Sequence, residues 1–159
     1  MRLVGGCLLA AALSLFLLSR LRREEESLRL LSALLSFIRE LREKIAVFGT
    51  PLDEILEGYT DPVLDGCGFL SRARRTGLSE AGEALRKEGR LPPSLSSELM
   101  LFFSSLGKGF REEEVQRCGA AEALLARERD AALPALEKNR KLTRALILTG
   151  SLFILIILW

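Results

Sequence analysis

The sequence predicts an all-α protein: a multi-helix antiparallel bundle flanked by an N-terminal and a C-terminal transmembrane helix. Three observations carry that expectation. The two ends, Leu3–Ser19 and Ala145–Trp159, are apolar and free of charge. Nearly all of the 23 Lys+Arg and 21 Asp+Glu residues fall between Arg20 and Arg144. Within that charged middle the apolar residues recur every three or four positions, and no stretch of β-branched residues alternates with polar ones. The chain divides accordingly into an N-terminal transmembrane helix (1–19), a cytoplasmic helical bundle (20–144) and a C-terminal transmembrane helix (145–159).

The N-terminal block ends in Leu17-Leu18-Ser19 and meets Arg20-Leu21-Arg22-Arg23. A secretory leader would end in a small-residue cleavage site instead, so the block reads as an uncleaved anchor. Each Leu, Ile, Phe or Val gains about 0.3–0.6 kcal/mol at the bilayer centre, so either block gains several kcal/mol on insertion. Both are shorter than the roughly 20 residues of an ideal span, a shortfall that long basic side chains at the flanks can bridge. Arg20, Arg22 and Arg23 follow the first block, and Lys138, Arg140, Lys141 and Arg144 precede the second. These seven membrane-flanking residues all face the central region, so the positive-inside rule places that region in the cytoplasm. Trp159 suits an interfacial aromatic anchor on the far side.

From Glu24 to Phe48 the residues Leu28, Leu31, Leu35, Ile38, Leu41, Ile45 and Phe48 mark one helical face, which Leu30, Leu34 and Phe37 widen. Arg39/Glu43 and Glu40/Lys44 sit four apart on its solvated side. With no breaker between Gly6 and Gly49, the anchor is expected to run into the domain as one helix of about 42 residues, roughly 60 Å long. Gly49 suits a C-cap, Thr50 a following N-cap and Pro51 the first helical position. Gly58 and Asp61-Pro62 end that short helix. Val63–Arg75 and Ser79–Glu88 read as further helices split by Gly77. Pro92-Pro93 is the clearest break, and Ser94 can cap a helix carrying Leu95, Leu99, Phe102, Phe103 and Leu106. After Gly107-Lys108-Gly109, residues 111–144 form a long charged helix. Pro134 inside it removes the bond to the Asp130 carbonyl and is expected to kink it.

The same residues exclude several functions. The near balance of charge argues against nucleic-acid binding, which calls for a basic excess. The absence of histidine removes the commonest general base and metal ligand. Gly107-Lys108-Gly109 lacks the upstream glycine and the hydroxyl of a phosphate loop. Cys7, Cys67 and Cys118 stand apart and read as small apolar fillers. Glu24-Glu25-Glu26 and Glu112-Glu113-Glu114 read as solvated charge runs. No catalytic, metal or cofactor site and no small-molecule substrate is expected; the chain reads as non-enzymatic. Arg72, Arg74 and Arg75 are the candidate contacts for a partner, with a plain solvated face as the other reading of that cluster.

The ends and the middle together resemble the stage III sporulation protein AB family. The resemblance rests on the anchor entering a Leu-rich helix and on Thr50-Pro51-Leu52-Asp53-Glu54-Ile55-Leu56 after Gly49. It continues in Ser105-Leu106-Gly107 followed by Glu113-Glu114-Val115-Gln116. The run Glu137-Lys138-Asn139-Arg140-Lys141-Leu142-Thr143-Arg144 entering the last apolar block completes it. The chain departs from that pattern at Gly109-Phe110, where a capping Ser/Thr-Asp is expected, and at Pro134. The resemblance implies a component of the channel-like secretion complex between mother cell and forespore, in the mother-cell membrane. It further implies a domain similar to type II secretion F platform proteins. The partners it implies are the secretion ATPase of the sporulation complex and the other membrane subunits of that complex. A generic membrane-tethered helical scaffold or coiled-coil interaction protein is the alternative.

Overall fold

The computed structural model describes the backbone of residues 2–158 and the side chains of residue 12 and residues 14–150. The described residues form helices and turns, with no strand among them. The helices are α1 (Arg2–Glu43), α2 (Leu52–Gly58), α3 (Pro62–Gly66), α4 (Phe69–Thr76), α5 (Leu78–Lys87), α6 (Pro93–Ser105) and α7 (Arg111–Leu158). A π-helical turn, Lys44–Phe48, extends α1. The chain separates into two compact units: the paired ends, 1–26 with 131–159, and a bundle, 27–130.

The bundle is built on the stripe of α1. Leu31, Leu34, Leu35, Phe37, Ile38 and Leu41 are each no more than 2 % exposed. A chain of ring contacts crosses the core from there. Phe37 meets Tyr59 edge-on at 5.1 Å and Phe69 at 6.0 Å; Phe69 meets Phe103 at 5.6 Å, and Phe103 meets Phe102 at 5.5 Å. Helices α1, α4 and α6 and the turn after α2 are thereby tied to one aromatic spine, in the tilted geometries that ring quadrupoles favour. On α6, Leu95, Leu99, Phe102 and Phe103 are buried, and Leu106 just beyond it is buried too. Helix α5 approaches α6 closely at Gly82, where a Cβ would stand 2.6 Å from the Phe103 ring.

Several local expectations give way to finer structure. Phe48 is 75 % exposed rather than the last residue of the core stripe. The π turn is the reason: its wider loops advance less per residue, so the stripe rotates off the core after Ile45. The helix then stops at Gly49, left-handed at φ 63°. Thr50 does not cap α2; Pro51 occupies the cap position in extended conformation, and Asp53 and Glu54 supply negative charge to the first turn. The 63–75 stretch is two helices, because Gly68 turns left-handed at φ 75° between α3 and α4. Asp61 caps α3, accepting from the Val63 and Leu64 amides at 2.8 and 3.0 Å. Ser94 lies inside α6, which opens at Pro93 with Pro92 as its cap. At the start of α7 the expected hydroxyl cap is replaced from the other side: Glu114 reaches back to accept from the Gly109 amide at 3.2 Å. Pro134 lies inside α7, which runs on through it to Leu158.

In the paired ends the half-buried positions recur every three or four residues on both helices. They are Ser14, Leu17, Leu21 and Glu24 on α1, and Ala132, Leu136, Asn139, Ile147 and Gly150 on α7, with Thr143 buried among the latter. Asn139 donates to Glu24 at 3.0 Å. That bond and the two patterns fit an antiparallel register in which 24 faces 139, 21 faces 143 and 17 faces 147, the spacing of a helix–helix seam. Among the described residues no helix is long and apolar enough to cross a membrane. Most of both apolar blocks expected to span (3–19 and 145–159), with Cys7 and Trp159, lies outside the described side chains.

Candidate functional site

The predicted partner face on α4 is brought together in space but is not a free basic patch. Arg74 donates to the carbonyls of Leu56 and Tyr59 at 2.8 and 2.5 Å. These belong to the C-terminal end of α2, whose last carbonyls have no partner within the helix. Arg72 pairs with Glu88 at 2.9 Å and holds that carboxyl below the usual carboxylate range. Arg75 donates to its own helix at the Ser71 carbonyl, 3.3 Å away, and stays exposed. Of the three, Arg75 is the one whose charge is open to a partner.

Other arginines that read as solvated are also structural. Arg39 and Arg42 of α1 both hold Glu122 of α7, each at 2.7 Å. The expected Glu40–Lys44 pair forms at 2.8 Å. Arg117 donates to the Ser105 carbonyl at the end of α6 at 3.1 Å. Arg111 donates to the Ala46 carbonyl at the end of α1. Arg74, Arg111 and Arg117 thus each close the end of a neighbouring helix, a role set by tertiary proximity that no spacing along the chain announces.

The bundle leaves two apolar features exposed. At the turn joined by Arg111 to Ala46, Val47, Phe48 and Phe110 are 62 %, 75 % and 80 % exposed. Between α6 and α7 lies an open groove of about 470 Å³, lined by Leu99, Leu101, Phe102, Ala120, Ala121 and Leu124. Cys118 is fully buried, and burial, with Glu114 beside it, pushes its thiol up to about 11. Cys67 is half-buried and donates to the Leu64 carbonyl at 3.3 Å. Among the described residues no group of acidic or sulfur side chains could hold a metal ion.

In the paired ends, Arg20, Arg22, Arg23, Lys138, Arg140, Lys141 and Arg144 are all exposed. Arg20 stands 3.6 Å from Glu24. The other six carry no ion pair among the described residues. Beyond them Leu15, Phe16, Leu146 and Leu148 are more than half exposed, an apolar surface turned outward.

The family model described as stage III sporulation protein AB matches residues 2–159. No curated protein and no solved structure matches the chain.

Proposed function

The chain belongs to the stage III sporulation protein AB family, and from that premise we propose that it is a non-enzymatic, membrane-anchored platform of the sporulation secretion complex. In this reading the two apolar ends anchor it in the mother-cell membrane facing the forespore. The bundle stands in the cytoplasm and docks the secretion ATPase of the complex, alongside other membrane subunits. Membership of the family supports the role in sporulation. The sequence of the ends supports the anchors, since both blocks are apolar and both are flanked by arginine and lysine on the bundle side. A domain similar to type II secretion F platform proteins would serve the same docking purpose.

The observation that carries the docking role is the apolar turn Val47-Phe48 with Phe110. The bundle buries its core, yet leaves three large hydrophobic side chains exposed where α1 ends and α7 begins. Exposed aromatic clusters of this kind mark protein contacts. The compact bundle also favours a platform over a simple coiled-coil scaffold, whose buried residues would lie along one seam. Arg75 remains a second contact, because its exposed guanidinium donates through Nε to the Ser71 carbonyl of its own helix, while Arg72 is paired with Glu88 and Arg74 closes the end of α2.

Affinity capture of the full chain from sporulating cells tests this. The wild type should retain the secretion ATPase. Phe48→Asp with Phe110→Asp should lose it while the bundle still melts cooperatively. A wild-type chain that retains no ATPase would overturn the platform reading; capture unaffected by the double variant would move the contact elsewhere on the bundle.

A further inference from the structure

The paired ends do more than present basic residues near the apolar blocks; they sort them into two layers. In the register set by Glu24 and Asn139, Arg20, Arg22 and Arg23 stand at the level of Lys141 and Arg144. No acidic residue lies between 19 and 23 or between 141 and 145. Just beyond, Arg140 stands level with Arg23 and Glu24, and Lys138 shares its level with Glu25, Glu26 and Glu137. The upper layer is therefore purely cationic and the lower one mixed.

We infer that the five upper residues, Arg20, Arg22, Arg23, Lys141 and Arg144, form a belt that selects anionic phospholipid headgroups around the protein. Dimensions support the fit. Three residue steps of helix give the belt a height of about 4.5 Å, within the roughly 5–8 Å of headgroup region on each side of the hydrocarbon. Chemistry supports it as well. Four of the five are guanidinium groups, whose forked donors match phosphate oxygens, and among the described residues Arg20 is the one of the five held by a carboxylate, that of Glu24 at 3.6 Å. The exposed Leu15, Phe16, Leu146 and Leu148 lie on the acyl-chain side of the belt. A zwitterionic headgroup offers the same phosphate but neutralises it with its own cation, so the belt distinguishes lipids by net charge. The inference rests on the membrane-anchored reading and deepens it: the local lipid becomes a partner rather than a solvent.

The test uses the full chain reconstituted in vesicles of equal phosphatidylglycerol and phosphatidylcholine, then extracted in mild neutral detergent. Mass spectrometry counts the lipids that stay with it. Each basic residue strengthens contact with an anionic surface by about fivefold, so phosphatidylglycerol should be enriched several-fold over the bulk ratio. Changing the five belt residues to Gln should return the ratio to about the bulk value. Lys138→Gln should leave the enrichment in place. Wild-type protein that enters the vesicles but retains both lipids equally would overturn the belt while leaving the anchors standing. Protein that fails to enter either vesicle would overturn the anchors and the belt together. Equal loss of enrichment in the Lys138→Gln variant would overturn the two-layer assignment.

Discussion

The two units handle the same kinds of side chain in opposite ways. The bundle buries Phe37, Phe69 and its leucines, and commits Arg39, Arg42, Arg74, Arg111 and Arg117 to carboxylates or helix-end carbonyls. The paired ends leave Leu15, Phe16 and Leu148 exposed, and among the described residues six of the seven flanking basic residues carry no ion pair. Among the described residues the bundle buries one continuous core and closes helix ends with arginines, leaving Val47, Phe48, Leu101 and Phe110 as its exposed large hydrophobics. The ends turn apolar and basic groups outward, the arrangement from which the proposed anchors are read.

Core truncation should break the comparison most sharply. Phe37→Ala removes the ring that joins Tyr59 to Phe69 in the aromatic spine and should cost the bundle about 3–5 kcal/mol in chemical denaturation. Leu35→Ala should cost about 2–5 kcal/mol. Leu148→Ala in the ends should leave the same transition within about 0.5 kcal/mol.

Within the arginine trio, Arg74→Met strands the Leu56 and Tyr59 carbonyls and should cost about 1–3 kcal/mol. Arg75→Met should be neutral in the same assay. If both were neutral, the helix-closing role of Arg74 would be wrong.

Glycine substitutions probe packing density. Gly82→Ala drives a methyl into the Phe103 ring. Overpacking of about 1–3 kcal/mol should outweigh the gain in helix propensity of about 1 kcal/mol. Gly150→Ala, with no atom within 4 Å of the new methyl, should be neutral or slightly stabilising. A thermal melt that ranks the two the other way would show that the ends are the tighter unit.

The smallest effect is a pH dependence. Burial first, then the charges of Asp61 and Glu40, push Tyr59 from 10.0 up to about 12. Its protonated form is favoured in the folded state, so its contribution is fully present below pH 10 and is lost as the pH rises through about 12. The alkaline fall in denaturation midpoint should be shallower in Tyr59→Phe; an identical slope would show that Tyr59 does not carry it.

Much of the architecture was legible in the chain. The three-and-four spacing of Leu28 to Ile45 specified the core face of α1, and Leu95 to Leu106 that of α6, because burial imposes periodicity. The break at Phe48 was not legible, since a π turn leaves no mark in residue type. The roles of Arg74, Arg111 and Arg117 were hidden for a related reason: a guanidinium aimed at a distant helix end has the same local sequence as one in water. Asp61 before Pro62 did carry its own signal, an N-cap residue ahead of a proline suited to the first turn. The seven flanking residues were readable as a group, but their separation into two layers required the register between α1 and α7.

Topology also sharpens with burial in view. Cys118 is buried, with its thiol pushed up to about 11, so a maleimide should react with it slowly even after permeabilisation. Half-buried Cys67 is the reporter whose protection in intact cells tests the cytoplasmic placement of the bundle.

The division into a self-contained bundle and ends proposed as membrane anchors is tested most directly by flotation of two proteins with vesicles, the full chain and residues 27–130 alone. The full chain should float and resist an alkaline wash, while 27–130 stays at the bottom of the gradient as a folded, helical domain. A full chain that remains soluble at the bottom, or a 27–130 fragment that unfolds without detergent, would contradict it.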